Sequence, residues 1–210
     1  MDTLNASGDA SSWTVNVGRP KGAVHLPMGP IADLRRWALD TAAERLGPAG
    51  SKAQVGAFAT ILVAAVEDSR TRDPITALSF VPAPEYGELA RIELRSVGPN
   101  PGESTVAMKD LVALFADASP LSIAAAEVEP GDLPIGPAVR VRHQIQSSVD
   151  EFGEGEIRQA VAYCIQPPEL SDALVLFVNW RALALSPQLF PMCDTIAESL
   201  RLVWTGTGTA

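Results

Sequence analysis

Two arginines and a histidine stand close together in the segment Ala138–Gln146, AVRVRHQIQ. Guanidinium groups bind phosphates and carboxylates through paired hydrogen bonds, and an imidazole titrates near neutral pH, so these residues could form an anion site or an acid–base centre. The alternation of apolar and polar residues predicts a β-strand. His143 then lies with valines on the core side, while Arg140 and Arg142 lie on the opposite face as candidate contacts for a partner or an anion.

Two interpretations of Arg140 and Arg142 stay open at the level of sequence. Their guanidinium groups could hold a ligand, or they could pair across the sheet with acidic neighbours such as Glu127 or Glu129. The second interpretation requires no ligand, because the opposite charges would lie within the same sheet.

Trp13 and Trp204 are the aromatic candidates for anchoring a partner, because each lies beside one polar end of the chain. We expect residues 1–11 and 205–210 to be disordered tails. Residues 12–204 are expected to form a single α+β domain, with a possible boundary between two halves in the Pro/Gly-rich stretch 98–104.

The common catalytic and metal-binding motifs are absent from the sequence. It contains no G-x-S-x-G elbow, no P-loop, no G-x-G-x-x-G and no C-x-x-C or H-E-x-x-H spacing. The two histidines, His25 and His143, are interpreted as packed or hydrogen-bonded residues. We therefore expect no catalytic residue, no metal site and no cofactor, and we do not expect an enzyme.

The composition limits the classes of partner. The chain has 210 residues, 47% of them apolar, and a formal net charge of −9 with a pI of about 4.7. This acidic balance argues against binding to nucleic acid or to an anionic membrane, and no uncharged apolar run is long enough to insert into a membrane. Without a recognisable secretion signal, we expect a cytoplasmic protein in which Cys164 and Cys193 are reduced.

Hydrophobic periodicity predicts several helices. The first is expected to begin at Pro30, a residue that suits the first helical position. The segment Gln54–Arg70 fits a helix by its length and alanine content, although the run Thr60–Val66 also fits a strand. In the last helix, Ser186 is expected to cap the N-terminus and Val203 to lie on the apolar stripe.

Alternating residues predict strands in both halves of the chain. In Ala90–Arg95, apolar residues alternate with charged residues such as Arg91 and Glu93, which indicates an antiparallel strand with one face in water. The segment 172–183 is apolar on both faces, as in a central strand, and 121–136 is expected to give a strand followed by a loop. The sequence therefore predicts an α+β fold, mainly an antiparallel sheet with helices packed on it.

Roughly the last 90 residues resemble the closing part of the PsbP-like α/β/α sandwich, and they are similar to uncharacterised actinobacterial proteins of that design. A strand opens with G-x-A-x-R at Gly136–Arg140, two further strands follow, and the last helix carries I-A-x-S-L at Ile196–Leu200. The resemblance implies a sandwich fold and a role like that of the family's members, which are mostly non-catalytic binding or assembly factors. The two halves also share a rough order of helix, strands and helix, which suggests a pseudo-duplication.

Three functions follow, of which we favour the first. The protein is expected to be a non-catalytic interaction or assembly factor that binds a protein partner through a sheet or helix surface. The alternatives are a domain that binds a small anionic ligand, or an enzymatic domain, using Arg140 and Arg142, and a self-assembling homo-oligomer such as a homodimer.

Overall fold

The computed structural model describes residues 11–117, 122–146 and 156–206. The strands in these ranges are β1 (Ser11–Asn16), β2 (Ala23–Leu26), β3 (Thr76–Phe80), β4 (Ala90–Val97), β5 (Glu127–Leu133), β6 (Gly136–Gln146), β7 (Ile157–Ile165), β8 (Ala173–Trp180) and β9 (Arg201–Gly206). The helices are α1 (Leu34–Leu46), α2 (Lys52–Arg70), α3 (Met108–Ala116) and α4 (Ser186–Ser199). None of the helices in the described ranges is long and apolar enough to cross a membrane.

Seven strands form one antiparallel sheet in the order β2-β3-β4-β8-β7-β6-β5. The strands β1 and β9 pair with each other in a separate two-stranded antiparallel sheet, here called the terminal ribbon. The predicted α+β fold with a mainly antiparallel sheet and helices packed on it is confirmed.

Both faces of the seven-stranded sheet carry helices. On one face, Leu94 of β4 and Leu176 of β8 share a core with Ile196 of α4 and with Val15 of the terminal ribbon. On the other face, α1 and α2 pack over β2 and β3, and α3 packs over the far ends of β7 and β8. The layers are therefore helix, sheet and helix, because each strand in the centre has apolar residues on both sides.

The two cysteines lie on opposite faces of this sheet. Cys164 belongs to the small core under α3, whereas Cys193 belongs to the core under α4. Both thiols are buried and free. Burial raises the pKa of each thiol to about 12, so both stay protonated at neutral pH.

The helix boundaries differ from the prediction at two places. The helix α1 begins at Leu34, after the prediction at Pro30, because the carboxylate of Asp33 accepts a hydrogen bond from the Arg36 amide at 2.8 Å and so caps the helix. The segment Gln54–Arg70 is helical, as favoured, and it lies in α2, where Ser51 and Gln54 form a reciprocal capping box.

The end of the chain also departs from the prediction. Ser186 does not cap α4, because its hydroxyl accepts a hydrogen bond from the Trp180 indole at 2.9 Å. The chain leaves the helix after Ser199 and becomes β9, so Val203 belongs to a strand. The described strands reach Ser11 at one end and Gly206 at the other, inside the predicted tails, whereas residues 1–10 and 207–210 lie outside the described residues.

The segment predicted as a loop before β6 is a strand at the edge of the sheet. Pro130 lies within β5, opposite Val139 of β6. An edge strand tolerates proline, because the missing amide hydrogen would face away from the sheet.

The stretch 98–104 joins β4 to α3 without dividing the sheet. The strand β4, which precedes the stretch, pairs with β8, which follows it, from Ala90↔Trp180 to Val97↔Ala173. Strands from both halves therefore share one sheet, and the pseudo-duplication stays a prediction.

Candidate functional site

Arg140 and Arg142 lie under α4 and do not form an open surface. Arg140 donates a hydrogen bond to the Asp194 carboxylate of α4 at 2.6 Å, and it also pairs with Glu129 across the β5–β6 register. The guanidinium of Arg142 lies 4.5 Å from the centre of the Phe190 ring and 3.9 Å from the Asp194 carboxylate. Both predicted contact residues therefore have partners within the chain.

The surroundings of Arg140 are acidic. A cavity of about 350 Å³ beside this side chain is lined by Asp132, Asp194 and Glu198, among others. The Tyr163 hydroxyl donates a hydrogen bond to Asp194 at 2.5 Å, and burial together with this carboxylate raises the pKa of Tyr163. The excess of carboxylates makes this cavity unsuited to an anion.

His143 faces α3, on the sheet face opposite Arg142. Burial lowers the pKa of its imidazole, and a hydrogen bond with the backbone of Phe115 only partly offsets that effect. The ring is therefore neutral at pH 7. This placement agrees with the interpretation of His143 as a packed residue.

Trp13 and Trp204 lie directly opposite each other in the terminal ribbon. Trp13 packs against the core beneath α4, while Trp204 is 46% exposed. The structure therefore brings these two candidates together, with Trp204 as the more accessible side chain.

A second region, which the sequence did not single out, lies on the opposite face of the sheet. The helix α2 covers β2 and β3, and α3 covers the other ends of β7 and β8. Between them the sheet is left uncovered and forms the floor of a groove of about 910 Å³, here called the α2 groove. Its floor includes Arg91 of β4, which lies opposite Asn179 of β8, and Arg158 of β7, which lies opposite Ile145 of β6.

One wall of the α2 groove is the exposed side of α2 and the other is a short loop. The helix contributes Ile61, Ala64 and Asp68, which recur every three or four residues and so lie on one side of the helix, and Arg72 follows in the turn after the helix. The loop 86–89 between β3 and β4 contributes Tyr86, which is 71% exposed. The groove therefore combines a charged floor with apolar and aromatic edges.

A buried carboxylate lies beneath this wall. Glu93 of β4 is 1% exposed, and it accepts hydrogen bonds from the Ser69 hydroxyl at 2.8 Å and from Arg72 at 2.6 Å. Arg95 on the same strand donates a further bond to it. The prediction that this face of β4 lies in water is wrong, because α2 packs over it.

Arg91 is the buried cation of the same network. The residue is 7% exposed, and its side chain forms a two-pronged ion pair with Glu88 at 2.6 and 2.7 Å. It also donates hydrogen bonds to the Ala65 carbonyl and to the Ser69 hydroxyl oxygen, both at 2.7 Å. Its donors are thus held by α2 and by the loop, which fixes the position of the groove wall over the sheet.

The charges of the network are held in their ionised forms. Burial on its own would raise the pKa of Glu93, but the hydrogen bonds from Arg72, Arg95 and Ser69 outweigh it and bring the pKa below its usual value. The hydrogen bond from Arg72 likewise lowers the pKa of Asp68, and the two carboxylates raise the pKa of Arg72. The network is therefore a fixed array of charges at neutral pH.

Two further arginines lie at the open end of the α2 groove. Arg158 and Arg181 both contact the same carboxylate oxygen of Glu156, each at 3.1 Å. Arg181 is 65% exposed. Arg181 is therefore the arginine that an incoming molecule would meet first, whereas the side chain of Arg158 is 30% exposed, about as much as that of Arg72 at 32%.

The lining of the α2 groove is positive in an acidic protein. Among the described residues that line it are four arginines, Arg72, Arg91, Arg158 and Arg181, and two carboxylates, Asp68 and Glu88. Glu93, Glu156 and Arg95 form ion pairs with or beside these side chains, so the five arginines and four carboxylates together balance at +1, whereas the whole chain carries −9. The groove is therefore a local reversal of the charge of the molecule.

Most of the polar groups beside the α2 groove are engaged with one another. Two hydroxyl groups of the network are fully buried: Ser69 is engaged with Glu93 and Arg91, and Ser79 donates a hydrogen bond to Glu88. Among the residues that the structure describes, no group of three or more histidine, cysteine or carboxylate side chains could hold a metal ion. What remains accessible is a rigid, charged and partly apolar surface.

Comparison with known proteins gives a likeness in fold. No family model matches the chain, and no curated protein matches its sequence. The crystal structure of LpqN, which is involved in cell envelope biogenesis of Mycobacterium tuberculosis, is similar with a TM-score of 0.51 and 12% identity, over 93% of this chain and 87% of that chain. At this identity, the likeness shows that the two chains share an α/β fold, and it does not carry function across.

Proposed function

We propose that this protein is a non-catalytic interaction or accessory factor that binds another protein through the α2 groove. The observation that carries the proposal is the groove itself, a cleft of about 910 Å³ whose walls are fixed by the network around Arg91 and Glu93. A preorganised surface binds without first losing conformational entropy.

The comparisons support this proposal at the level of fold. LpqN is described as involved in cell envelope biogenesis, which is compatible with an accessory role for a protein of this shape. The resemblance to PsbP-like proteins, whose members are mostly binding or assembly factors, points in the same direction and remains part of the proposal. We propose the cytoplasm as the compartment, with the cell envelope as the alternative that cell fractionation would reveal.

The two alternative functions have less support. An anion site at Arg140 and Arg142 is disfavoured because Asp194 and Glu129 already neutralise Arg140 and the adjoining cavity is acidic. A homodimer remains an alternative, and light scattering of the purified protein would detect it.

The test is a substitution that fills the groove without touching the core. Ala64 is an exposed residue of α2 that lines the groove, so Ala64→Trp would obstruct it. Ala57, two turns earlier on the same helix and equally exposed, gives the matched control Ala57→Trp. Tagged wild-type and variant proteins are cross-linked in cells, and the bound proteins are quantified by mass spectrometry.

We expect the recovered amount of at least one partner to fall about tenfold or more with Ala64→Trp, which corresponds to a loss of about 1.4 kcal/mol in binding free energy. The recovered amount of the same partner should be unchanged with Ala57→Trp. Proteins recovered equally with both variants would be independent of the groove. If every enriched protein behaves that way, the proposed function is wrong.

A further inference from the structure

We propose that the segment bound in the α2 groove is acidic, with carboxylate side chains that contact Arg158 and Arg181 and apolar side chains that pack between them and α2. The inference rests on the proposed function, since it names the chemistry of the partner for the same groove. Three observations carry it: the sign of the groove, the availability of the two arginines, and the apolar residues beside them.

The first observation is the local charge. The groove and the side chains paired with it carry five arginines and four carboxylates, a balance of +1, while the whole chain has a net charge of −9. An acidic segment is attracted by the groove and repelled by the rest of the surface, so the charge distribution favours one position for it. A basic segment would be attracted to the rest of the acidic surface, and the groove would then be the least favourable place to bind.

The second observation separates the inner arginines from the outer ones. Arg91 is held by Glu88, and Arg72 is held by Asp68 and Glu93, so the donors of both are used within the chain. These two arginines contribute their electrostatic field to the groove and stay in place.

The outer arginines have donors to spare. Arg158 and Arg181 share one carboxylate oxygen of Glu156, although each guanidinium has five N–H donors. Within the described residues, the terminal nitrogens of Arg181 have no hydrogen-bond partner, and this side chain is 65% exposed. A carboxylate placed beside Arg158 and Arg181 would receive paired hydrogen bonds from them without displacing the inner network.

The third observation is the apolar surface next to these arginines. Tyr86 is 71% exposed at one edge of the groove, and Ile61, Phe177 and Ile145 are each only partly buried along its walls and floor. A tyrosine in such a position presents a large contact area at a low entropic cost. A free inorganic anion would leave this surface in water, whereas a peptide with alternating acidic and apolar residues would cover it.

The probe is a phage-displayed library of random 12-residue peptides, selected on the wild-type protein. The selected peptides are then synthesised, and their affinities are measured for the wild type, for Ala64→Trp, and for the double variant Arg158→Gln, Arg181→Gln. The control is Arg35→Gln, Arg36→Gln on the exposed side of α1, which also removes two charges, including one paired with a carboxylate, Asp40. Thermal melting of all variants verifies that they are folded.

We expect the selected peptides to contain Asp or Glu next to aromatic or aliphatic residues. Their affinity should fall about tenfold or more in the Arg158→Gln, Arg181→Gln variant and should also fall in Ala64→Trp. It should be unchanged in the Arg35→Gln, Arg36→Gln control, and for the wild type it should weaken as the NaCl concentration is raised.

The outcomes distinguish this inference from the proposed function. Weaker binding to Ala64→Trp would show that the peptides bind in the groove. If these peptides lack acidic residues, or bind the arginine variant as well as the wild type, the groove remains the proposed binding surface and the inference of an acidic partner is wrong. If no selected peptide depends on Ala64, both are contradicted. If no acidic peptide is selected, and inorganic phosphate or dodecyl phosphate binds in a way that depends on Arg158 and Arg181, the ligand of the groove is a small anion and the inference of an acidic peptide is wrong.

Discussion

At the scale of single residues, the buried carboxylate of Glu93 determines how α2 meets the sheet. It is the point where Ser69 and Arg72 of the α2 region and Arg95 of β4 converge. A buried ion pair adds little net stability compared with apolar packing, but the removal of one partner leaves the others without compensation. Glu93 therefore stabilises the fold, and it holds the wall of the α2 groove in place because it fixes the position of α2.

Glu93→Gln tests this role directly. The loss of the negative charge leaves Arg72 and Arg95 without their buried partner. Both arginines keep some access to water, so we expect the free energy of unfolding to fall by about 3 kcal/mol, which is the lower end of the range for a broken buried ion pair. Urea denaturation followed by circular dichroism gives the value. The matched control is Glu67→Gln, an exposed carboxylate of α2, which should change stability by less than about 0.5 kcal/mol. Equal effects of the two substitutions would contradict the role assigned to Glu93.

At the scale of elements, α2 is both the wall of the groove and the helix whose identity the sequence left open. Its beginning is defined by Ser51, whose hydroxyl accepts a hydrogen bond from the Gln54 amide, while the Gln54 side chain accepts one from the Ser51 amide at 2.9 Å. These reciprocal bonds satisfy two amides that a helix otherwise leaves without partners.

Ser51→Ala removes the cap and should lower the free energy of unfolding by about 1 kcal/mol. Ser51→Gly should lower it by only about 0.3 kcal/mol, since glycine is itself a tolerated cap residue. The two variants differ in one methyl group, so the comparison separates the loss of the cap from a general effect of substitution. Differential scanning calorimetry measures both. An Ala variant as stable as the Gly variant would show that the capping box does not stabilise α2.

Strand prediction worked where it depended on alternation along one strand. The alternating residues of Ala90–Arg95 and of Ala138–Gln146 both lie in strands, β4 and β6. What the alternation could not show was which face each helix would cover. A polar face that contacts Asp194 or Ser69 has the same local pattern as one that contacts water.

At the scale of the whole molecule, the titration of buried groups links stability to pH. The folded-state pKa values of Glu93, Asp68 and His143 all lie below their ordinary values of 4.5, 3.8 and 6.5. For each of these groups, the unfolded chain binds protons more readily than the folded chain as the pH falls. Their stabilising contributions are therefore complete above the unfolded pKa and are lost as the pH falls below it.

We accordingly expect stability to be constant between about pH 6.5 and pH 9, to decline on acidification first as His25 and His143 titrate in the unfolded chain, and to decline more steeply below about pH 4.5, where the carboxylates follow. Above about pH 9 stability should fall again, because the thiols of Cys164 and Cys193 ionise more readily in the unfolded chain than in the core. Urea denaturation at a series of pH values gives the profile. In Glu93→Gln the steep acid limb should become shallower, while the decline that begins near pH 6.5 should remain. A profile that rises towards acid pH would contradict the assigned charge states.

The sequence by itself determined the fold class and the antiparallel strands and favoured a helix for α2, because propensity and hydrophobic periodicity are properties of neighbouring residues. The sequence also predicted that Arg140 and Arg142 lie on the same face of a strand. Only the tertiary structure decided that α4 would cover them and that Asp194 would neutralise Arg140.

The tertiary structure likewise decided where the accessible positive charge lies. Arg72 follows α2, Arg158 lies in β7 and Arg181 follows β8. Arg72 is far from the other two in the chain and meets them only where α2 and α3 leave the sheet uncovered. No local pattern encodes that gap, because it results from the lengths and positions of two helices packed on the same face. The physical reason is that periodicity specifies which residues share a face, whereas packing between distant elements decides which faces are covered.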